Sequence, residues 1–196
     1  MIRIAIVVGS TRPGRRADQV ARWVREAGAA RGPEVEYALV DLAEVGLPLL
    51  DEPVPAAIGD YRNPHTRRWA EIVASFDGFV FVTPEYNHAM PAALKNAIDY
   101  LFAEWNDKAA GFVSYGLAGG VRAVEQLRLT LAEVKVACVR SQVALSLFTD
   151  FAIPDMSVPG TFTPAPHHGP ILDRLLDEVT AWAGALLGLR AGAAPR

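Results

Sequence analysis

Five short runs rich in β-branched and aromatic residues alternate with stretches of helical periodicity, and this alternation narrows the fold more than any other feature of the chain. The first run, residues 2–8 (Ile-Arg-Ile-Ala-Ile-Val-Val), is almost wholly apolar, as expected of a strand covered on both faces. Further strands are expected at about 34–40, 79–83, 110–115 and 136–147. Helices are expected over about 16–31, 64–75, 91–102, 121–134 and 170–189, where apolar residues recur at three- and four-residue intervals. Gly32-Pro33 stops the first helix, and Pro91 opens the fourth strand's preceding helix at the position where a missing N–H costs nothing. Residues 47–63 and the proline-rich connection from Pro154 to Pro166 read as irregular. Such alternation calls for a parallel sheet with helices on both faces, whose ligands bind beyond the carboxyl ends of the strands.

Composition bounds the rest. With 196 residues, the chain fits one domain, expected over 1–190 with a frayed tail at 191–196. A formal charge of −3 argues against general nucleic-acid binding. One cysteine, Cys138, cannot form an internal disulfide and reads as a buried thiol. The apolar runs are too short to cross a membrane and residues 1–8 too short for a signal peptide, so a cytoplasmic protein is expected.

Three strand-following loops carry unusual chemistry. Gly9-Ser10-Thr11-Arg12-Pro13-Gly14-Arg15-Arg16 lies between a strand and a helix, where free amides and the helix dipole attract phosphate. Arg15-Arg16 replaces the Lys and hydroxyl of an ATPase loop, and Thr11 replaces the second glycine of a dinucleotide loop. A hydroxyl- and arginine-rich loop without a magnesium ligand suits a monophosphate. Pro84-Glu85-Tyr86-Asn87-His88 offers an aromatic face and amide groups for a flat heterocycle. Ser114 to Gly120 contains three glycines, Gly116, Gly119 and Gly120, which would let backbone approach a ligand.

Over residues 2–150 the chain resembles the NAD(P)H-dependent FMN reductases and their quinone and azo-dye reductase relatives. The resemblance rests on Gly9-Ser10-Thr11-Arg12, on Pro84-Glu85-Tyr86-Asn87 continuing through Pro91 and Leu94-Lys95-Asn96-Ala97-Ile98-Asp99, and on Ser114-Tyr115-Gly116 with Gly119-Gly120. It implies an α/β, flavodoxin-like three-layer sandwich with a five-stranded parallel sheet in the order 2-1-3-4-5. It implies bound FMN and NADPH or NADH as co-substrate, with electrons passing to a small acceptor such as a quinone or free flavin in a ping-pong cycle. Ser10, Thr11 and Arg12, with Arg15 or Arg16, would hold the FMN phosphate. Pro84, Glu85, Tyr86 and Asn87 would line the ring, and Ser114, Tyr115, Gly116 and Gly119 would cover its other edge. It also implies a homodimer or homotetramer, for which the 91–102 helix and Trp105 are the candidate surface.

Since the flavin carries the redox chemistry, no catalytic side chain is required. His88 fits either an acceptor pocket or the surface. His167-His168 lacks the cysteine or carboxylate company of a metal site. The alternative is a non-enzymatic FMN electron carrier or redox sensor, but carriers of that kind are usually more acidic than this chain.

Overall fold

The computed structural model describes residues 1–192; the remaining tail, 193–196, lies outside the described residues. Strands β1 (Ile2–Val8), β2 (Val35–Asp41), β3 (Gly78–Pro84), β4 (Lys108–Gly116) and β5 (Val136–Ser146) form one parallel sheet in the order β2-β1-β3-β4-β5. This is the flavodoxin-like order. Burial explains the positions: β3 and β4 are buried at every residue and β1 over its last five, whereas the outer strands β2 and β5 expose part of theirs. A continuous apolar run suits only the middle of a sheet covered on both sides.

Helices α1 (Ala17–Ala29) and α6 (His168–Ala191) cover one face, where Val20, Val24, Leu172, Leu175 and Val179 meet Ile4, Ile6, Val80 and Val82. Helices α3 (Pro64–Ala74), α4 (Ala92–Asp99) and α5 (Val121–Glu133) cover the other, with Trp69, Leu94, Ile98 and Leu127 against Ala5, Phe79, Phe81 and Phe112. Trp105 belongs to this second core rather than to a subunit surface. It is 1% exposed, stands edge-on to Phe79 at 4.9 Å, and its indole N–H donates to the Ile98 carbonyl, so its burial leaves nothing unpaired. Helix α4 likewise turns Leu94, Ala97 and Ile98 inward, and it ends at Asp99, three residues earlier than its periodicity suggests.

Just ahead of residues 47–63, the stretch expected to be irregular, lies the short helix α2 (Leu42–Val45), capped by the Asp41 carboxylate; the stretch itself contains a 3-10 turn at Ala56–Ile58. It is pinned down by polar contacts: Asn96 donates to the Pro48 carbonyl, the Tyr100 hydroxyl donates to Asp51, and Glu52 accepts from the amides of Arg62 and Asn63. After β5, a two-stranded antiparallel ribbon, β6 (Phe151–Ala152) with β7 (Thr161–Phe162), forms inside the proline-rich connection. The last helix begins at His168, ahead of Pro170, because a proline in the first turn removes no intrahelical bond. All five strands run parallel, so the loops after β1, β3 and β4 gather at one edge. Gly9 makes that possible: a Cβ there would lie 2.9 Å from the Leu94 side chain and 3.1 Å from the Val82 carbonyl.

Candidate functional site

A cleft at this edge is lined by Arg12, Pro13, Gly14, Arg15 and Arg16 from the first loop, Pro84, Glu85 and Tyr86 from the second, and Tyr115 and Gly116 from the third. A fourth wall comes from Leu147 and from Met156, Ser157 and Val158 of the strap, residues 153–160 between β6 and β7. The first and second loops are tied together where the Ser10 and Tyr86 hydroxyls meet at 2.9 Å.

The two adjacent arginines have opposite surroundings. Arg15 donates to the Ser10 carbonyl at 2.6 Å, to Asp18 at 2.7 Å, and with both terminal nitrogens to Asp41. Its hydrogen bonds to Asp41 hold the guanidinium still more firmly charged despite its burial. These bonds tie Arg15 to the loop's own shape, although it also lines the cleft. Arg16 donates to the Val158 carbonyl at 2.9 Å, yet its buried Nε finds no partner among the described residues. It stands at the start of α1, which no side chain caps. An uncapped helix N-terminus, an orphaned buried N–H and the exposed Arg12 make a donor set for an oxyanion. That chemistry fits the phosphate of FMN. Thr11 lines a neighbouring groove with Leu42, Ala43 and Asn96.

The second loop closes as a tight hairpin. Tyr86 and Ala89 exchange backbone hydrogen bonds at 2.9 and 3.0 Å, which forces Asn87 and His88 to φ of 49° and 69°. Asparagine tolerates that region better than most residues. Glu85 turns inward to the start of α5, where its carboxylate pairs with the Arg122 guanidinium and accepts from the Arg122 amide. Burial alone would raise the Glu85 pKa; the hydrogen bonds and charge of Arg122 outweigh it and hold the group below its ordinary value.

The third loop serves the fold more than a ligand. Ser114 is fully buried, its hydroxyl donates to the Gly119 carbonyl at 2.6 Å, and it is not among the cleft-lining residues. Gly119 and Gly120 both have positive φ, and a Cβ on Gly120 would sit 2.8 Å from that of Ser114. Only Gly116 and the ring of Tyr115 reach the cleft; burial pushes the Tyr115 pKa up, so it stays a neutral phenol. Cys138 lies outside the cleft-lining set, its thiol pushed up to about 11 by burial.

Sequence reasoning missed the groups that hold these loops. Asp41 orients Arg15, and Asp150 anchors the strap by accepting from the amides of Ser146 and Ala165 while lying 3.0 Å from His168 Nε2. Asp41 was visible as a carboxylate at a strand end, but nothing in the spacing links Asp150 to His168.

The sequence pattern that defines the NADPH-dependent FMN reductases matches residues 2–150. The chain belongs to the NADPH-dependent FMN reductase family. It is 40% identical over 150 residues to an NAD(P)H-dependent FMN reductase of Schizosaccharomyces pombe, covering 76% of this chain and 74% of that one. It is 32% identical over 160 residues to a quinone reductase of Pseudomonas putida, covering 75% and 81%. Among solved structures, the flavoenzyme FerB of Paracoccus denitrificans superposes with a TM-score of 0.72 over 94% of this chain and 98% of that one; at 20% identity the likeness is one of fold. As a member of this family of reductases the protein is an FMN-dependent oxidoreductase drawing on NAD(P)H, which sets aside the carrier alternative.

Proposed function

We propose that this FMN reductase holds the cofactor in the cleft described above and passes electrons from NAD(P)H to a small acceptor of quinone type. The observation that carries the reading is the orphaned buried Nε of Arg16 at the uncapped start of α1. Arg16 and Arg12 would take the phosphate, with Ser10 beside them. The loop amides would complete that end beside Thr11, which lines the neighbouring groove, and Arg15 keeps the loop in shape from behind. Pro84, Glu85, Tyr86 and Asn87 would flank the ring with backbone groups, opposite Tyr115 and Gly116.

FMN bound there supplies hydride-level redox chemistry. The chain's own part is to bind and orient. Tyr86, Tyr115, Leu147 and Met156 line the cleft and would limit water around a bound ring. Glu85, kept ionised by Arg122, locks the ring-side loop to α5. NAD(P)H and the acceptor would use the same open mouth in turn, so initial-rate plots should be parallel. The quinone class is favoured by likeness to a quinone reductase over 75% of the chain.

Residues 1–190 are read as one domain acting in the cytoplasm; no helix among the described residues is long and apolar enough to cross a membrane. Self-association would use the stretch between α2 and α3, which exposes Leu49 and Ile58 at 80% and 70% on a framework of fixed polar contacts. Light scattering should then report a dimer or tetramer.

The deciding experiment is a visible spectrum of the purified protein with FMN, before and after anaerobic NADPH. Bound-flavin absorbance that bleaches on adding NADPH supports the reading. Flavin that stays free in solution would remove it.

A further inference from the structure

The first loop borders more than the cleft. A further groove, of about 480 Å³, adjoins it along the same loop and shares Arg12, Pro13, Gly14 and Arg15 with it. Thr11, Asp18 and Arg22 add polar groups to the groove's lining, and Ala43 and Pro159 give it apolar surface. That volume lies within the range of small-molecule sites.

The charges in this groove are unevenly matched. Arg15 donates to Asp18 at 2.7 Å and to Asp41 at 2.8 Å, so it is satisfied. Asp18, the only carboxylate among the described lining residues, is taken by the same contact. Arg12 and Arg22 are exposed, and neither guanidinium forms a hydrogen bond or an ion pair among the described residues. One solvated arginine on a surface is ordinary. Two unpaired ones lining a groove that adjoins the flavin cleft leave a surplus of positive charge with paired donors, which suits a phosphate. Arg22 follows Arg16 by six residues along α1, roughly 9 Å of helix, so it is a cationic group well beyond the flavin phosphate. A nicotinamide stacked on the flavin ring must let its pyrophosphate and adenosine leave the cleft across one wall. The first-loop wall is the one that leads to these unpaired cations.

We propose that the groove is the adenosine end of the coenzyme site, with Arg22 binding the 2′-phosphate that distinguishes NADPH from NADH. The inference rests on the FMN reductase reading given above and assigns its coenzyme. NADH carries a free ribose diol at that position, which a carboxylate recognises. Here the lining carboxylate is already held by Arg15, so the groove rewards a phosphate and offers a diol nothing. Arg12, at the junction of groove and cleft, adds charge that draws an anionic coenzyme inward. Hydride transfer is the same from either coenzyme, so Arg22 acts on binding alone.

The test compares FMN-loaded wild type, Arg22→Gln and Arg22→Lys. Arg22 is exposed in mid-helix, where glutamine and lysine are good helix formers, so both variants should fold. Arg22→Gln should lower kcat/KM for NADPH by about 10- to 100-fold through KM, with NADH changed by no more than about twofold. Arg22→Lys keeps the charge and should recover most of the loss. A second readout needs no turnover: calorimetric titration with adenosine 2′,5′-bisphosphate, adenosine 5′-monophosphate and inorganic phosphate. Wild type should bind the bisphosphate about tenfold or more tightly than either other probe, and Arg22→Gln should erase that advantage. Inorganic phosphate bound as tightly as the bisphosphate would reduce the groove to a general anion site and overturn the proposal. Equal losses for NADPH and NADH, or an unchanged NADPH constant, would overturn it too. Wild type that binds no FMN, or whose FMN neither coenzyme reduces, would remove the reductase reading itself, whereas a failure confined to the Arg22 comparison removes only this inference.

Discussion

At Arg15, one guanidinium meets two carboxylates and a carbonyl with its side chain 12% exposed; at Arg16, one step along, a buried N–H meets none among the described residues. The same residue type therefore does different work. Replacing Arg15 by Met strands Asp41, itself 17% exposed, and should cost about 2 kcal/mol of stability in urea unfolding. Replacing Arg16 by Met should leave stability within about 1 kcal/mol while weakening FMN binding roughly 10- to 100-fold, as expected when charged hydrogen bonds are lost. Fluorescence titration of FMN gives the second number. If Arg15→Met is the variant that loses FMN affinity without losing stability, the two roles are exchanged.

Among elements, the hairpin and the strap depend on local order that their sequences only partly declare. In the hairpin, Asn87 at a φ of 49° should accept glycine with little change, whereas Asn87→Val should cost about 1–2 kcal/mol because a β-branched residue resists the left-handed region. Thermal melts of the two variants separate these outcomes. The strap and its ribbon depend on Asp150. Burial would raise its pKa, but the amides of Ala165 and Ser146 and the charge of His168 outweigh that, and the native pKa lies below the ordinary value. A depressed carboxylate stabilises the fold fully above its unfolded pKa of about 3.9 and loses that contribution as pH falls through the native value. Asp150→Asn should therefore flatten the acid limb of the stability curve below about pH 4. Parallel acid limbs in wild type and variant would argue against Asp150 as the anchor.

The whole molecule carries a buried cation at the opposite end of the sheet. Lys108, 4% exposed, donates to the Val73 carbonyl at 2.7 Å, and burial, aided by Arg190, pushes its pKa down to about 7. Between that value and about 10, its unfolded pKa, the unfolded chain binds a proton that the native protein does not, so global stability should rise with pH by up to about 1.4 kcal/mol per unit. Lys108→Met should abolish that slope. Urea unfolding at three pH values across this window checks it, and identical slopes in the two proteins would place Lys108 outside the account.

The layer order and the edge of the sheet that holds the site were legible early, because residues 2–8, 79–83 and 110–115 can be buried on both faces only as central strands. The Gly9–Arg16 loop stood out equally early, because hydroxyls and arginines between a strand and a helix suit an anion; that it holds the FMN phosphate is our proposal. Local spacing determines such features, since neighbours in sequence supply both the period and the donors. What distinguishes Arg15 from Arg16, buries Trp105 or fixes His88 is a partner 26 to 34 residues away: Asp41, Phe79 or Arg122. Those assignments depend on which side chains the crossovers bring face to face, and that is settled only when the sheet and its helices pack.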